Sequence, residues 1–147
     1  MSNVSTDRTD ESFFGEVIST YTRAQALEDG VLVDAGPMAK EVGFRFPVAL
    51  TSAVWADCVA WTDSDSQKNP FQDQSGRLYD VLFMAAFAIR TSEDSSDRLL
   101  YGVLPYELYR VPRDGFSTEA KPVTLKLIIG PGDHGEPVIT VLLPTED

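Results

Sequence analysis

Three groups of side chains carry the reactive chemistry of this chain. The first is Asp133-His134-Gly135-Glu136, where an imidazole and two carboxylates fall close together. Such donors bind divalent cations, but a site on one loop is weak unless further ligands converge on it. The second is Cys58, which could act as a nucleophile only if a nearby base lowered its pKa and solvent could reach it. With one His and one Cys in 147 residues, multi-His metal centres and zinc ribbons are excluded, and one Ser-His-Asp arrangement at most is open. The third is a cluster of acids, Asp57, Asp63, Asp65 and Asp73, interleaved with Trp55, Trp61 and Phe71. Acids beside aromatics suit docking onto a basic protein, the aromatics anchoring and the charges steering. The plainer reading of the same residues is a solvated helix end with core tryptophans.

The glycine- and proline-rich run that holds His134, GPGDHGEP from Gly130 to Pro137, invites comparison with a phosphate-cradling loop. That chemistry needs main-chain N–H groups at a helix start and usually a lysine. Here the prolines remove donors and the two acids repel phosphate. Apolar runs flank the loop on both sides, Val123 to Ile129 and Val138 to Leu143, so it reads as a hairpin connection. No catalytic residue and no cofactor follows from these patterns.

The elements that must position these groups can be read along the chain. Residues 1 to 12 lack any apolar period and are expected to form a flexible polar tail, followed by one domain from 13 to 147. Phe13, Phe14, Val17 and Ile18 form an apolar cluster. Thr22 to Gln25 is a capping box opening a helix from Arg23 to Asp29, ended by Gly30. Val31 to Val33 is a brief strand, and Pro37 opens a helix that runs to Val42. Leu50 to Trp61 is expected to be a helix with Val54, Cys58 and Trp61 on one face, which makes Cys58 a buried, inert thiol. Thr62 to Gly76 reads as a surface loop. Arg77 to Arg90 reads as a buried helix, its alanines outweighing its aromatics, and Leu99 to Leu104 and Tyr106 to Val111 as strands broken at Pro105. The expected class is α+β, with N-terminal short helices packed on a C-terminal antiparallel sheet of three to five strands.

The composition narrows the partners. There are 23 acidic and 12 basic residues, a net charge of -11, which repels a phosphate backbone and argues against direct nucleic-acid binding. No apolar run is long enough to cross a bilayer, and the N-terminus has no signal-peptide pattern, so a cytoplasmic protein without a membrane anchor is expected.

Taken together, the strings FGEVIS, TRAQALEDGVLVD, AVWADC, SGRLYDVLFMAAFAIR and GPGDHGEPVITVLLP resemble an uncharacterised family of short proteins encoded on bacterial plasmids, integrative elements and phages. The similarity runs from Phe14 to Asp147; Leu104 to Tyr109 is longer than the corresponding family stretch. The resemblance implies an accessory protein of a mobile element, a setting in which small acidic proteins include anti-restriction and anti-CRISPR factors. The expected function is therefore non-enzymatic protein binding, with a basic host protein or complex as partner and Trp55, Asp57, Trp61, Asp63, Asp65, Phe71 and Asp73 as the contact residues. The alternatives are a metal- or small-molecule-binding domain or weak hydrolase built on Asp133, His134 and Glu136, and an accessory subunit for conjugation or plasmid maintenance.

Overall fold

The computed structural model describes residues 21–92 and 102–147. The expected tail, the Phe13 to Ile18 cluster and the first residues of the expected Leu99 strand lie outside the described residues. Among the described residues five strands form one sheet: β1 (Leu32–Asp34), β2 (Val48–Thr51), β3 (Val103–Arg110), β4 (Lys121–Pro131) and β5 (Pro137–Leu142), in the order β1-β2-β5-β4-β3. The class is α+β, as the sequence predicts. All pairings are antiparallel except β2 with β5, which run parallel with Val48 opposite Ile139 and Leu50 opposite Val141.

Helix α1 (Arg23–Asp29) is built on the capping box the sequence predicts. Thr22 Oγ1 accepts the Gln25 N–H, the Gln25 side chain accepts the Thr22 N–H, and Gly30 closes the helix at φ 79°. Helix α2 spans Pro37–Val42, with proline in its first turn. The next segment departs from expectation. Leu50 and Thr51 belong to β2, because a sheet placed between β1 and β5 needs a fully buried strand there. The helix therefore starts two residues later, as α3 (Ser52–Val54), with Thr51 Oγ1 accepting the Val54 N–H. It continues as a π-helical turn over Trp55–Val59, in which the Ala60 N–H reaches back five residues to the Trp55 oxygen at 2.8 Å.

The stretch expected to be a loop, Thr62 to Gly76, contains a helix as well. This is α4 (Asp63–Lys68), held by a second reciprocal cap in which the Thr62 hydroxyl and the Asp65 carboxylate satisfy each other's main-chain N–H. Aspartate closes the box in place of the usual Glu or Gln, and the absence of apolar residues hides the helix from any periodicity argument. Helix α5 (Gln74–Thr91) is the long helix predicted, begun three residues earlier and buried on one face only, and capped by Asp73 Oδ1 on the Gly76 N–H at 2.6 Å.

Helix α5 lays Leu78, Val81, Leu82, Ala85 and Ala86 on one face of the sheet, against Val48, Leu50, Leu125, Leu127 and Val141. The alanines let the helix backbone approach the strands closely, while Cys58 and Val59 close the core beside them. Strand alternation sends Thr140 to the other face, where α1 meets it: Arg23 donates to Thr140 Oγ1 and the Ile139 oxygen, both at 2.7 Å.

Strand β3 is continuous through Pro105 rather than broken there. The Ile129 N–H donates to the Gly102 oxygen, so even-numbered residues of β3 bond to β4 and odd-numbered ones turn their main-chain groups outward. The missing N–H of Pro105 thus falls on the free edge, where a strand tolerates proline and where it blunts pairing with another chain.

Candidate functional site

The acids and aromatics singled out in the sequence converge at one end of the molecule, around the π turn, α4 and the C-terminal end of β3. Arginines that the sequence reading passed over organise them. Arg77 is 3 % exposed. Its Nε donates to the Val59 oxygen at 3.2 Å, its Nη1 to the Val111 oxygen at 2.8 Å and its Nη2 to the Asp57 oxygen at 3.0 Å. The flat guanidinium lies 4.6 Å from the centre of the Trp61 ring, so Trp61 covers a buried cation. Burial lowers the Arg77 pKa from its ordinary value. The π turn matters here, because it aims the Asp57 and Val59 oxygens at one side chain. Trp61 is fixed from its other end as well, its Nε1 donating to the Asn69 oxygen at 3.3 Å.

Two of the four acids are neutralised by arginines within the chain. Asp57 takes a two-point contact from Arg110, at 3.0 Å to Nε and 3.3 Å to Nη2. Asp65 pairs with Arg113 Nε at 3.0 Å while holding the α4 cap, and its pKa is lowered by the hydrogen bonds to Thr62 and then by Arg113. Arg113 also donates to the Ala56 oxygen at 2.8 Å, tying the β3–β4 loop to the π turn. Asp73 caps α5. Of the four acids, Asp63 is the one that has neither an arginine partner nor a side-chain capping bond, and it stays exposed. Trp55 is half-buried against the core.

Two phenylalanines project from this assembly. Phe71 is 90 % exposed and Phe116 is 82 % exposed. Each is held by the same device two residues upstream. Asn69 Oδ1 accepts the Phe71 N–H at 3.0 Å, and Asp114 Oδ1 accepts the Phe116 N–H at 3.0 Å. These are Asx turns, and they fix the backbone while leaving the ring in solvent. Asn69 is 5 % exposed, so the first turn is anchored in the protein interior. The second is reinforced by Ser117, whose N–H and hydroxyl both donate to Asp114; those bonds hold its carboxyl down at about 2. A side chain added at Gly115 would lie 3.3 Å from Lys68 Nζ, so the Phe116 loop rests on the end of α4, close to where the Phe71 turn begins. Phe71 was among the sequence candidates. Phe116 was missed, although Asn69-Pro70-Phe71 and Asp114-Gly115-Phe116 share an Asx-turn pattern legible in the sequence. An open cleft beside them is lined by Gln72, Arg77, Asp80, Tyr109 and Arg110 above the buried Cys58.

Cys58 is 1 % exposed, and burial, reinforced by Asp57, pushes its thiol up to about 12. A thiol held protonated is a poor nucleophile. His134 lies exposed on the β4–β5 hairpin. The hairpin acids have structural partners: Asp133 accepts the N–H groups of Arg23 at 2.7 Å and Ala24 at 3.0 Å, and Glu136 accepts the His134 N–H at 2.8 Å. Asp133 thereby caps α1 from a distant part of the chain. Among the described residues no group of three His, Cys, Asp or Glu side chains is placed to hold a metal ion. No helix among them is long and apolar enough to cross a membrane.

No curated protein and no solved structure matches the chain. A family model does, over residues 11–147, and the chain accordingly belongs to the family of unknown function DUF6573.

Proposed function

We propose that this protein is a non-enzymatic protein-binding accessory factor of a mobile genetic element, which occupies the nucleic-acid-binding surface of a basic host defence complex. The observation that carries the binding part is the pair Phe71 and Phe116, exposed to 90 % and 82 % on backbones fixed by Asx turns. A large apolar ring in water is unfavourable, and one held on a rigid turn loses little further entropy when a partner covers it. Aromatic rings, phenylalanine among them, are enriched at protein interfaces relative to the rest of the surface.

The charge of -11 supports the choice of a basic partner. The internal pairing of Asp57 and Asp65 changes how that charge acts: the anchors supply affinity, and the exposed acids, Asp63 among them, supply steering. The inhibitory role and the mobile-element setting rest on the sequence resemblance and on the charge, which lets such a surface compete with a phosphate backbone.

The test is capture from a bacterial lysate at low ionic strength, with the natural protein and the Phe71→Ala/Phe116→Ala variant side by side. Retention of a basic, nucleic-acid-binding protein by the natural chain and not by the variant is expected. The same set of proteins on both would refute the reading.

A further inference from the structure

The outer face of α5 is a second surface, which borders the cleft beside Phe71 at Asp80. Tyr79, Phe83 and Phe87 recur four residues apart and are 47 %, 40 % and 46 % exposed, directly opposite the face that packs on the sheet. Tyr79 and Phe83 stack with ring centres 5.7 Å apart, and the Arg90 guanidinium lies 6.0 Å from the Phe83 ring. A helix in a small protein ordinarily carries charges on this face. Here the exposed charged groups are Asp80, between Tyr79 and Phe83, and Arg90, after Phe87.

This arrangement is self-complementary. A two-fold axis requires that if residue i meets residue j, then j meets i. Laying α5 antiparallel on a copy of itself, centred on Ala85, places Phe83 opposite Phe87 and Phe87 opposite Phe83. The same register brings Asp80 of each helix level with Arg90 of the other, the two lying about 15 Å apart along each helix. We infer that α5 is the contact through which two copies of this chain form an antiparallel dimer, with the Phe83–Phe87 pairs at its centre and the Asp80–Arg90 pairs flanking them.

The rest of the molecule opposes this contact, since two chains of charge -11 repel. The dimer should therefore strengthen as salt rises, the reverse of an attraction to a basic partner. The experiment is sedimentation velocity on the full chain over about 1 to 200 µM, at low and high salt. A rise from one-chain to two-chain mass, larger at high salt, is expected. Phe83→Glu should leave one-chain mass throughout with an unchanged circular dichroism spectrum. Asp80→Arg and Arg90→Asp should each weaken the dimer by about tenfold, and the double reversal should restore it, which a variant that merely misfolds would not do. One-chain mass for the natural protein at every concentration and salt would overturn the inference. So would a Phe83→Glu protein that dimerises unchanged, or a double reversal as weak as the single ones.

Discussion

Arg77 gives three of its N–H groups to main-chain oxygens and one face to Trp61, so its removal should cost more than one contact. Arg77→Met would leave three buried carbonyls unpaired, and we expect a loss of about 3 kcal/mol or more in urea unfolding. Arg77→Lys should recover little, because an ammonium cannot span three divergent acceptors or lie flat on an indole. Cys58 yields a prediction in pH. Its thiol is raised by burial from 9.0 to about 12, so the folded chain holds the proton more tightly than the unfolded chain does. The resulting stability is full below pH 9 and is lost as pH climbs toward 12. Cys58→Ala should flatten this alkaline decline, measured as the urea midpoint from pH 8 to 11, and thiol labelling of the native protein should be far slower than that of the unfolded chain. The burial of Cys58 was legible from Val54 one helical turn before it; Trp61, expected on the same helix face, lies beyond the end of the π turn at Val59. The role of Arg77 was not legible, because its acceptors come from the π turn and from Val111, which sequence spacing does not bring together.

At the scale of elements, local chemistry was readable and long-range competition was not. The Thr22–Gln25 box, the Gly30 stop, the Pro37 start and the β4–β5 hairpin all follow from short-range rules, and the structure has them where the sequence puts them. Leu50 and Thr51 went to a strand because β1 and β5 pair with them, and no pattern within the segment records that demand. Helix α4 changes what its acids do. Asp65 and Asp73 cap helices, so neutralising them costs stability rather than acting on association alone. Asp73→Ala should destabilise by about 1 kcal/mol, and Asp65→Asn should lower the thermal midpoint in the same direction, both read by thermal unfolding. In the hairpin, Gly135 has φ 81°, so Gly135→Ala should cost about 1 kcal/mol. At Gly132 the obstacle is steric instead: an added Cβ would stand 2.6 Å from the Glu136 carboxylate, and Gly132→Ala should be rescued in part by Glu136→Ala. His134→Ala should be neutral within about 0.5 kcal/mol, as exposed loop changes generally are.

For the whole molecule, the α+β class followed from helices early and strands late, while the parallel β2–β5 pairing and the strand order depend on contacts between distant segments. The same limit applied to the candidate site. The sequence singled out Phe71 and the acids, but the arginines that pair those acids, and Phe116 beside them, come from the β3–β4 region and are brought in by the fold. Consequently the proposed binding rests more on aromatic anchoring than on charge. It is tested most directly by the dissociation constant of the purified partner captured by the natural chain, compared with that for Phe71→Ala/Phe116→Ala and for Asp63→Asn. Truncating the two anchors should weaken binding by about 30-fold or more, through faster dissociation and without a change in thermal midpoint, while Asp63→Asn should mainly slow association. Equal affinity for the natural chain and the doubly truncated variant would contradict the account.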